Sequence, residues 1–363
     1  MTPALAPASP RTDRLADRIA AAPIAHRRAI AHWLLLCCGV IFAMVMIGGI
    51  TRLTESGLSI AEWQPLKGAL PPLNEVEWQR LFDLYRQIPE YQQINRGMSL
   101  AEFKEIFWWE WIHRLWGRLI GLVFLLPLLW FLIRRRIPAG LTPYLVAAFL
   151  LGGAQGALGW FMVASGLAER TDVSQYRLVA HLLLAFAIYI YLFWLALACL
   201  GPPRGHVDPA NRRRLRWFAV LLASTVAMGA FTAGLNGGFV YNEFPLMGGA
   251  LLPGDALALE PLWINLFENP VAAQFAHRWL AIATVIAVLA LWFAAPHAKD
   301  KITRGRPLDL LAGMALLQAA LGIATLLSVV ALPLAVLHQA GALLLLTALV
   351  WALYEAAPYE ARA

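Results

Sequence analysis

Eight long apolar runs constrain this sequence more than any other feature. Each approaches the roughly 20 residues that a helix needs to cross the hydrocarbon core of a bilayer. These runs lack the alternation of apolar and polar residues with a period of two that is typical of membrane-spanning strands. The sequence therefore predicts an all-α integral membrane protein with eight transmembrane helices, at approximately residues 33–50, 112–133, 143–163, 178–200, 216–234, 274–295, 308–330 and 335–354.

The composition excludes the soluble alternatives. Hydrophobic residues make up 60% of the 363 residues and charged residues 14%, whereas soluble domains have about 45–50% and 25%. A soluble fold of this length could not bury so much apolar surface. The three cysteines, Cys37, Cys38 and Cys199, lie inside apolar runs, so they indicate neither a disulfide framework nor a redox compartment.

The basic residues mark one side of the membrane. Of the 29 Lys and Arg residues, 18 fall in the termini and in the connections that follow the second, fourth and sixth runs. By the positive-inside rule these segments are cytoplasmic. The net positive charge of +7 is therefore explained by the membrane topology, and we predict no nucleic-acid partner. The loops 51–107 and 235–273 then face outward, and we interpret the first as a lid over an outer site. Because residues 1–22 lack the pattern of a cleavable signal or transit peptide, we predict a bacterial inner membrane.

The chain contains an internal repeat of two halves with four spans each. Because four is even, both halves enter the membrane with the same polarity. We therefore predict two pseudo-symmetric four-helix bundles. The residues that match between the halves are Gly48 and Gly229, Thr51 and Thr232, His113 and His277, Arg114 and Arg278, Gln155 and Gln318, Gly159 and Gly322, and His181 and His338.

The repeat and the charges divide the chain into five parts. A cytoplasmic tail, residues 1–32, precedes the first bundle, 33–200. A cytoplasmic linker, 201–215, leads to the second bundle, 216–354, and a cytoplasmic tail, 355–363, ends the chain.

Four histidines lie near the outer ends of the even-numbered spans, two in each half: His113, His181, His277 and His338. Ionisable residues inside spans are costly and usually functional. Two facing imidazoles at one depth of a helix bundle can ligate a heme iron on both faces, whereas zinc usually takes three or four protein ligands. We predict a heme site between each pair. The alternative is four interfacial histidines that hydrogen-bond to helix ends.

One carboxylate breaks the repeat. Glu110 precedes His113 by three residues and shares its helix face, whereas the equivalent residue in the second half is Gln274. A carboxylate near a heme edge can accept a proton or stabilise a developing cation. We therefore predict chemistry in the first half and a structural or electron-transfer heme in the second. The alternatives are that Glu110 only pairs with Arg114 or caps the helix start; a di-iron site would need two such motifs.

The polar residues beside the histidines are harder to assign. Arg114 and Arg278 each follow a histidine and could bind heme propionates, or their side chains could reach the lipid headgroups instead. Gln155 and Gln318 are interpreted as interhelical hydrogen-bond partners. Arg118 receives no role.

At this point the motifs resemble those of the heme A synthase family, in its α-proteobacterial and mitochondrial form. The resemblance covers most of the chain and is carried by "GGITRLTESGLSI", "NRGMSLAEFKEIFWWEWIHRLWGRLIG", "GALGWFMVASGL", "NGGFVYNEFPLMGG", "FAHRWLA" and "LPLAVLHQAGALLLL". It implies oxidation of the C8 methyl of heme O to a formyl group through a hydroxymethyl intermediate, which yields heme A for terminal oxidases.

The resemblance also implies roles for single residues. His113 and His181 would ligate the iron of the substrate heme O, with Glu110 as the catalytic carboxylate. His277 and His338 would be the two axial ligands of a resident heme b. Some members of the family carry cysteine pairs in the outer loops; this chain has none there, so thiol-dependent electron delivery is not supported.

Partners and competing functions remain open at this stage. The candidate partners are the synthase that makes heme O, cytochrome oxidase assembly factors and a second copy of this chain, and the sequence does not specify the electron acceptor. A non-enzymatic di-heme b-type electron carrier would need the four histidines but not Glu110. A transporter built from parallel repeats would show Gly- or Pro-broken spans at matching positions, which the sequence lacks.

Overall fold

The computed structural model describes residues 15–64, 67–169, 171–203, 209–294 and 306–357. Parts of the predicted cytoplasmic segments lie outside these ranges: residues 1–14 and 358–363 of the two tails, 204–208 of the linker and 295–305 between the sixth and seventh spans. Within the described ranges the fold is helical without strands, apart from one isolated bridge between Met247 and Ala250.

Eight helices of the described chain are long and apolar enough to cross a membrane, which confirms the predicted fold class. They are α1 (Ile24–Leu53), α2 (Leu100–Ile133), α3 (Thr142–Glu169), α4 (Gln175–Leu200), α5 (Pro209–Gly234), α6 (Pro270–Ala294), α7 (Arg306–Leu327) and α8 (Leu332–Glu355).

Two helices begin well before the predicted spans. α1 begins at Ile24 rather than at residue 33, directly after Pro23. α2 begins at Leu100 rather than at residue 112, because Ser99 and Glu102 form a reciprocal capping box there. The hydropathy pattern locates the part of a helix that crosses lipid, whereas the caps decide where the helix itself begins.

The same cycle of contacts occurs in both halves of the chain. In the first half α1 packs against α2 and α4, and α3 packs against both α2 and α4. In the second half α5 packs against α6 and α8, and α7 packs against both α6 and α8. These contacts support the predicted pair of four-helix bundles, although their symmetry stays a prediction.

The two halves meet through α1, α4, α5 and α8. Leu343 of α8 belongs to the same buried cluster as Leu34 of α1 and Leu192 of α4. At this interface the Gln339 amide donates to the carbonyl of Val45 at 3.1 Å. By contrast, α3 exposes large apolar side chains along its length, such as Leu150 and Phe161, as expected for a helix that faces lipid.

The predicted outer loop, described over residues 54–64 and 67–99, is folded and packed against the start of α2. It contains two helices, Glu75–Tyr85 and Pro89–Gln93, and the first begins where the Asn74 side chain accepts a hydrogen bond from the amide of Glu77. Its apolar side chains form a cluster with Phe103 and Phe107 of α2. The three early turns of α2 therefore hold a cover over the outer end of the first half, where the sequence predicted a lid.

Candidate functional site

The structure brings the rings of His277 in α6 and His338 in α8 together in an edge-to-face arrangement. The centres of their rings are 6.3 Å apart and the rings are inclined by 74°. A metal–imidazole bond is about 2 Å long, so two imidazoles on opposite sides of one ion have ring centres roughly 6 Å apart. The pair therefore has the separation that a single metal ion between them would require.

His113 of α2 lies within electrostatic range of His181 of α4. Among the described residues, however, their rings make no ring contact like that of the second pair, and His113 has no hydrogen-bond partner. The Nδ1 atom of His277, in contrast, lies 2.9 Å from the carbonyl oxygen of Thr225. His113 thus lacks the kind of hydrogen bond that holds its counterpart His277.

A glycine on an adjacent helix makes room for each of the four rings. A Cβ atom on Gly229 would lie 2.7 Å from Cε1 of His277, and one on Gly322 would lie 2.8 Å from Cε1 of His338. The matching distances in the first half are 2.9 Å from Gly159 to His181 and 3.2 Å from Gly48 to Nε2 of His113. The repeat of these glycines is visible in the sequence, but their contact with the histidines is visible only in the fold.

Glu110 is buried, with 2% of its surface exposed, and four hydrogen bonds hold its carboxylate. Oε1 accepts from Nη2 and Nε of Arg114 at 2.6 and 3.0 Å. Oε2 accepts from the amide of Ile60 at 2.7 Å and from the hydroxyl of Ser59 at 2.8 Å. Every partner is a donor, and each carboxylate oxygen accepts two hydrogen bonds. Sequence reasoning did not single out Ser59.

Arg114 is fully engaged by the protein in this arrangement. Besides its ion pair with Glu110, it donates to the carbonyl oxygens of Ile60 and Glu62 at 2.9 and 3.2 Å. The pairing of Glu110 with Arg114, which the sequence left as an alternative, is therefore present. The binding of a propionate by Arg114 stays a prediction.

The equivalent residues in the second half leave polar atoms without partners. Arg278 is 6% exposed and donates through Nη1 to the carbonyl oxygens of Pro245 and Leu246 at 2.9 and 2.6 Å. Its Nε and Nη2 atoms have no hydrogen-bond partner in the described part of the chain, and neither has Oε1 of Gln274. These are the two nitrogen atoms that bind Glu110 in Arg114. Arg278 thus presents an open, buried fork of donors of the kind that binds a carboxylate.

Two glutamines contact the remaining histidines. The Gln318 amide nitrogen lies 3.1 Å from Nδ1 of His338, and that of Gln155 lies 3.1 Å from Nδ1 of His181. The repeat signalled these glutamines, but their position against the imidazoles follows only from the packing of α3 on α4 and of α7 on α8. Arg118 lies near the loop, where Nη2 donates to the Gln64 carbonyl at 3.4 Å.

Within the described residues no three His, Cys, Asp or Glu side chains are grouped as a metal site. Two histidines are nevertheless enough for heme, because the porphyrin itself binds the iron and leaves only the axial positions to the protein. The arrangement is that of a multi-pass helical membrane protein with two histidine pairs, of which the second has the spacing of axial ligands and an arginine placed for a carboxylate.

Comparisons with known proteins agree with this class. Residues 31–350 match the model of a family described as cytochrome oxidase assembly protein. A heme A synthase from Rhodospirillum centenum is 55% identical over 347 residues, which cover 95% of this chain and 91% of that protein. A heme A synthase from Mesorhizobium japonicum is 51% identical over 88% of each chain, and one from Nitrosomonas eutropha is 47% identical over 89% of this chain and 92% of its own. The chain belongs to the heme A synthase family.

Proposed function

We propose that this protein oxidises the C8 methyl group of heme O to a formyl group, through a hydroxymethyl intermediate, and so makes heme A. The observation that carries the proposal is the inequality of the two histidine pairs. One pair lies beside a buried carboxylate, and the other lies beside an arginine with an open fork. A protein that only transferred electrons between two equivalent hemes would not need this difference.

The second half fits a resident heme b. His277 and His338 would be its axial ligands, because the 6.3 Å separation of their rings suits one ion between two imidazoles. The unpartnered Nε and Nη2 of Arg278 would bind a propionate, since a guanidinium binds a carboxylate through two parallel hydrogen bonds. When bound, heme b supplies one-electron transfer out of the site.

The first half would bind the substrate. His113 and His181 would ligate the iron of heme O, and its farnesyl tail would lie in lipid. His113 has no hydrogen-bond partner in the described residues, so its ring could turn without breaking a hydrogen bond as one heme leaves and another enters. Such a ligand suits a heme that must be exchanged at each turnover.

Glu110 would act through its charge. Four donors hold both oxygens of its carboxylate, so the group is fixed in one position. We propose that it stabilises the positive charge that develops on the methyl carbon when two electrons pass to an external one-electron acceptor and one proton passes to water. A water oxygen then adds to this carbon and releases a second proton, which gives the hydroxymethyl group. Arg114, Ser59 and Ile60 fix its position before the reaction, which removes the need for reorganisation during it.

The proposed setting follows from the charge pattern. The chain would lie in a bacterial inner membrane with both termini in the cytoplasm. The two histidine pairs would then lie near the periplasmic side, under the first outer loop and the loop that follows α5.

The test is the Glu110→Gln variant, expressed in cells that lack heme A and supplied with heme O. We expect heme A output to fall by about 10²- to 10³-fold, the usual loss when one preorganised electrostatic group is removed. The b-type absorption should remain, because the second pair is untouched. The measurement is mass spectrometry of extracted hemes together with a reduced-minus-oxidised spectrum.

The matched control is Ser59→Ala, which removes one donor to Glu110 but keeps its charge. Because one of the four hydrogen bonds is lost but the charge remains, we expect a smaller loss of heme A output than in Glu110→Gln. Normal heme A output from Glu110→Gln would contradict the assignment. If the unaltered chain left the heme composition of the membrane unchanged, the electron-carrier function would be favoured instead.

A further inference from the structure

The second outer loop, residues 235–269, is folded and yet exposes many large apolar side chains. Met247 and Ala256 are buried and anchor it against the start of α6. Trp263 and Leu251, by contrast, are 64% and 62% exposed, and Leu257 is half exposed. A patch of exposed apolar side chains on a folded surface marks a site of interaction with a protein or a membrane. The second outer loop is therefore a candidate docking surface.

The charge of the loop indicates what it docks. Residues 235–269 contain four acidic residues and no Lys, Arg or His. None of the four forms an ion pair with a residue that the structure describes. The first outer loop, residues 54–99, differs, because it contains four basic residues and Arg80 pairs with Glu62 at 2.7 Å. The uncompensated negative charge of the second outer loop attracts a partner that carries positive charge.

The loop lies directly over the second histidine pair. Arg278, the residue after His277, donates to the carbonyl oxygens of Pro245 and Leu246 at 2.9 and 2.6 Å. One turn earlier on α6, the amide of Gln274 donates to the Tyr241 carbonyl at 2.9 Å. A protein that docked on the loop would therefore be close to the proposed heme b, from which electrons must leave.

The charge also disfavours the other candidate occupants. Segments that lie in the membrane interface are typically rich in Lys and Arg, which attract anionic headgroups, whereas four carboxylates are repelled by such lipids. Two copies of this chain that met through this loop would bring like charges together, which is unfavourable. A basic protein satisfies both the apolar patch and the acidic charge around it.

We propose that the second outer loop is the docking surface for a small basic protein that accepts one electron from heme b. This inference rests on the proposed function, in which His277 and His338 bind heme b. In each encounter one electron passes from heme b to the partner, and no covalent bond forms or breaks. Two encounters remove the two electrons of one oxidation. The complex is transient, as is usual for electron-transfer pairs with small interfaces.

The experiment uses the purified full-length protein with heme b bound, in lipid discs made of zwitterionic lipid. The first probe is mitochondrial cytochrome c, a small basic one-electron carrier, and the second is cytochrome b5, which is acidic. Surface plasmon resonance measures the Kd, and stopped-flow absorption measures the oxidation of reduced heme b by ferric cytochrome c. We expect cytochrome c to bind at low ionic strength and to bind more weakly as salt screens the charges, whereas cytochrome b5 should not bind.

The variants are Glu260→Lys and Trp263→Ser, at exposed positions of the loop. We expect Glu260→Lys to raise the Kd for cytochrome c about tenfold at low salt, because it reverses a charge at the edge of the interface. We expect Trp263→Ser to raise it at least about tenfold, since exposed tryptophans often dominate binding energy. The oxidation of heme b should slow in both variants, while the b-type spectrum should not change.

The matched controls are Glu77→Lys and Leu73→Ser, at exposed positions of the first outer loop. They should bind cytochrome c as the unaltered protein does. Equal Kd changes in the loop variants and the controls, binding that does not depend on salt, or equal binding of the two probes would overturn the proposal. A change in the number of copies per particle in Trp263→Ser, without a change in Kd, would overturn it in favour of contact between copies.

The outcome for the unaltered protein separates the two proposals. If it binds no b-type heme, the assignment of His277 and His338 in the proposed function fails, and this inference fails with it. If it binds such a heme but cytochrome c does not dock on the second outer loop, only the inference about the loop fails.

Discussion

The outer ends of the two halves use the same two helix positions to anchor a loop, but with different chemistry. In the first half Glu110 and Arg114 bind each other and also bind Ser59, Ile60 and Glu62 of the loop. In the second half the amide of Gln274 donates to the Tyr241 carbonyl, and Arg278 donates to Pro245 and Leu246.

The difference lies in what remains unsatisfied. In the first half the donor atoms of Arg114 are bound by Glu110 and by loop carbonyls, so none is left to bind a ligand. The second half keeps two buried donor atoms of Arg278 without a partner in the described residues, and such atoms are costly unless a ligand satisfies them. The exchange of Glu110 for Gln274 thus makes the halves different. The first half presents a fixed carboxylate, whereas the second half leaves Arg278 able to bind the carboxylate of a ligand.

The largest expected effect comes from erasing this difference with Gln274→Glu. The new carboxylate would pair with Nε and Nη2 of Arg278, as Glu110 pairs with Arg114, and would occupy the place proposed for a propionate. We expect more than about a tenfold loss of heme b affinity, since a charge-assisted bidentate contact contributes over 1.4 kcal/mol. Heme binding is measured by titration of the apoprotein.

The control for this variant is Gln274→Ala, which also loses the hydrogen bond to Tyr241 but adds no charge. It should retain heme b. Equal losses in both variants would show that Gln274 matters as a loop anchor and that the Arg278 fork is not used for a carboxylate.

A second comparison disturbs one histidine at a time through its glycine. In Gly322→Ala the new Cβ would approach Cε1 of His338 to 2.8 Å and displace the ring, so heme b binding should fall about tenfold. In Gly159→Ala the displaced ring is His181, so heme A output should fall while heme b remains. The b-type spectrum and the extracted hemes are measured for both variants.

The controls for the glycine variants are Gly313→Ala in α7 and Gly152→Ala in α3, where a Cβ would meet nothing within 4 Å. These variants should keep both heme b binding and heme A output. They should also be more stable, because alanine is more favourable than glycine inside a helix by about 1 kcal/mol. If Gly322→Ala and Gly159→Ala lowered heme b binding equally, or lowered heme A output equally, the two halves would not have separate roles.

The last prediction concerns the stability of the cover over the first half rather than heme binding. Glu90, in the loop helix Pro89–Gln93, is 4% exposed and its Oε2 has no partner among the described residues. Burial, with the nearby charges of Glu110, Glu55 and Asp172, raises the pKa of its carboxyl from 4.5 to about 8. The folded protein therefore keeps this proton over a pH range in which the unfolded chain has lost it.

The consequence is a stability that falls as the pH rises from about 4.5 to about 8. Glu90→Gln should remove this pH dependence. At alkaline pH the variant should therefore be more stable than the unaltered protein, by a free energy of unfolding on the order of a few kcal/mol at most. At acidic pH the two proteins should melt at nearly the same temperature. Thermal denaturation in detergent at about pH 5 and pH 9 measures it. An equal shift at both pH values would indicate a packing effect instead.

Much of the site was predictable because the chain repeats. The four histidines, the exchange of Glu110 for Gln274 and the paired arginines are visible when the halves are aligned. Their partners were not predictable, because Ser59 and Ile60 reach Glu110 from the loop, about fifty residues away in sequence. Likewise, hydropathy located the spans but missed the first turns of α2, whose aromatic residues pack against that loop rather than against lipid.

The sequence by itself determined the class of fold, since only helices can satisfy the backbone in runs as apolar and as long as these eight. It also predicted a common depth for the four histidines, and it contains the exchange of Glu110 for Gln274 that makes the halves unequal. Only the tertiary structure decided that Nε and Nη2 lack partners in Arg278 but bind Glu110 in Arg114. It also decided that the rings of His277 and His338 have the separation that suits one metal ion between them. Hydrogen bonds and ring separations depend on distances of tenths of an ångström between segments that are remote in sequence, and residue spacing along one chain does not contain those distances.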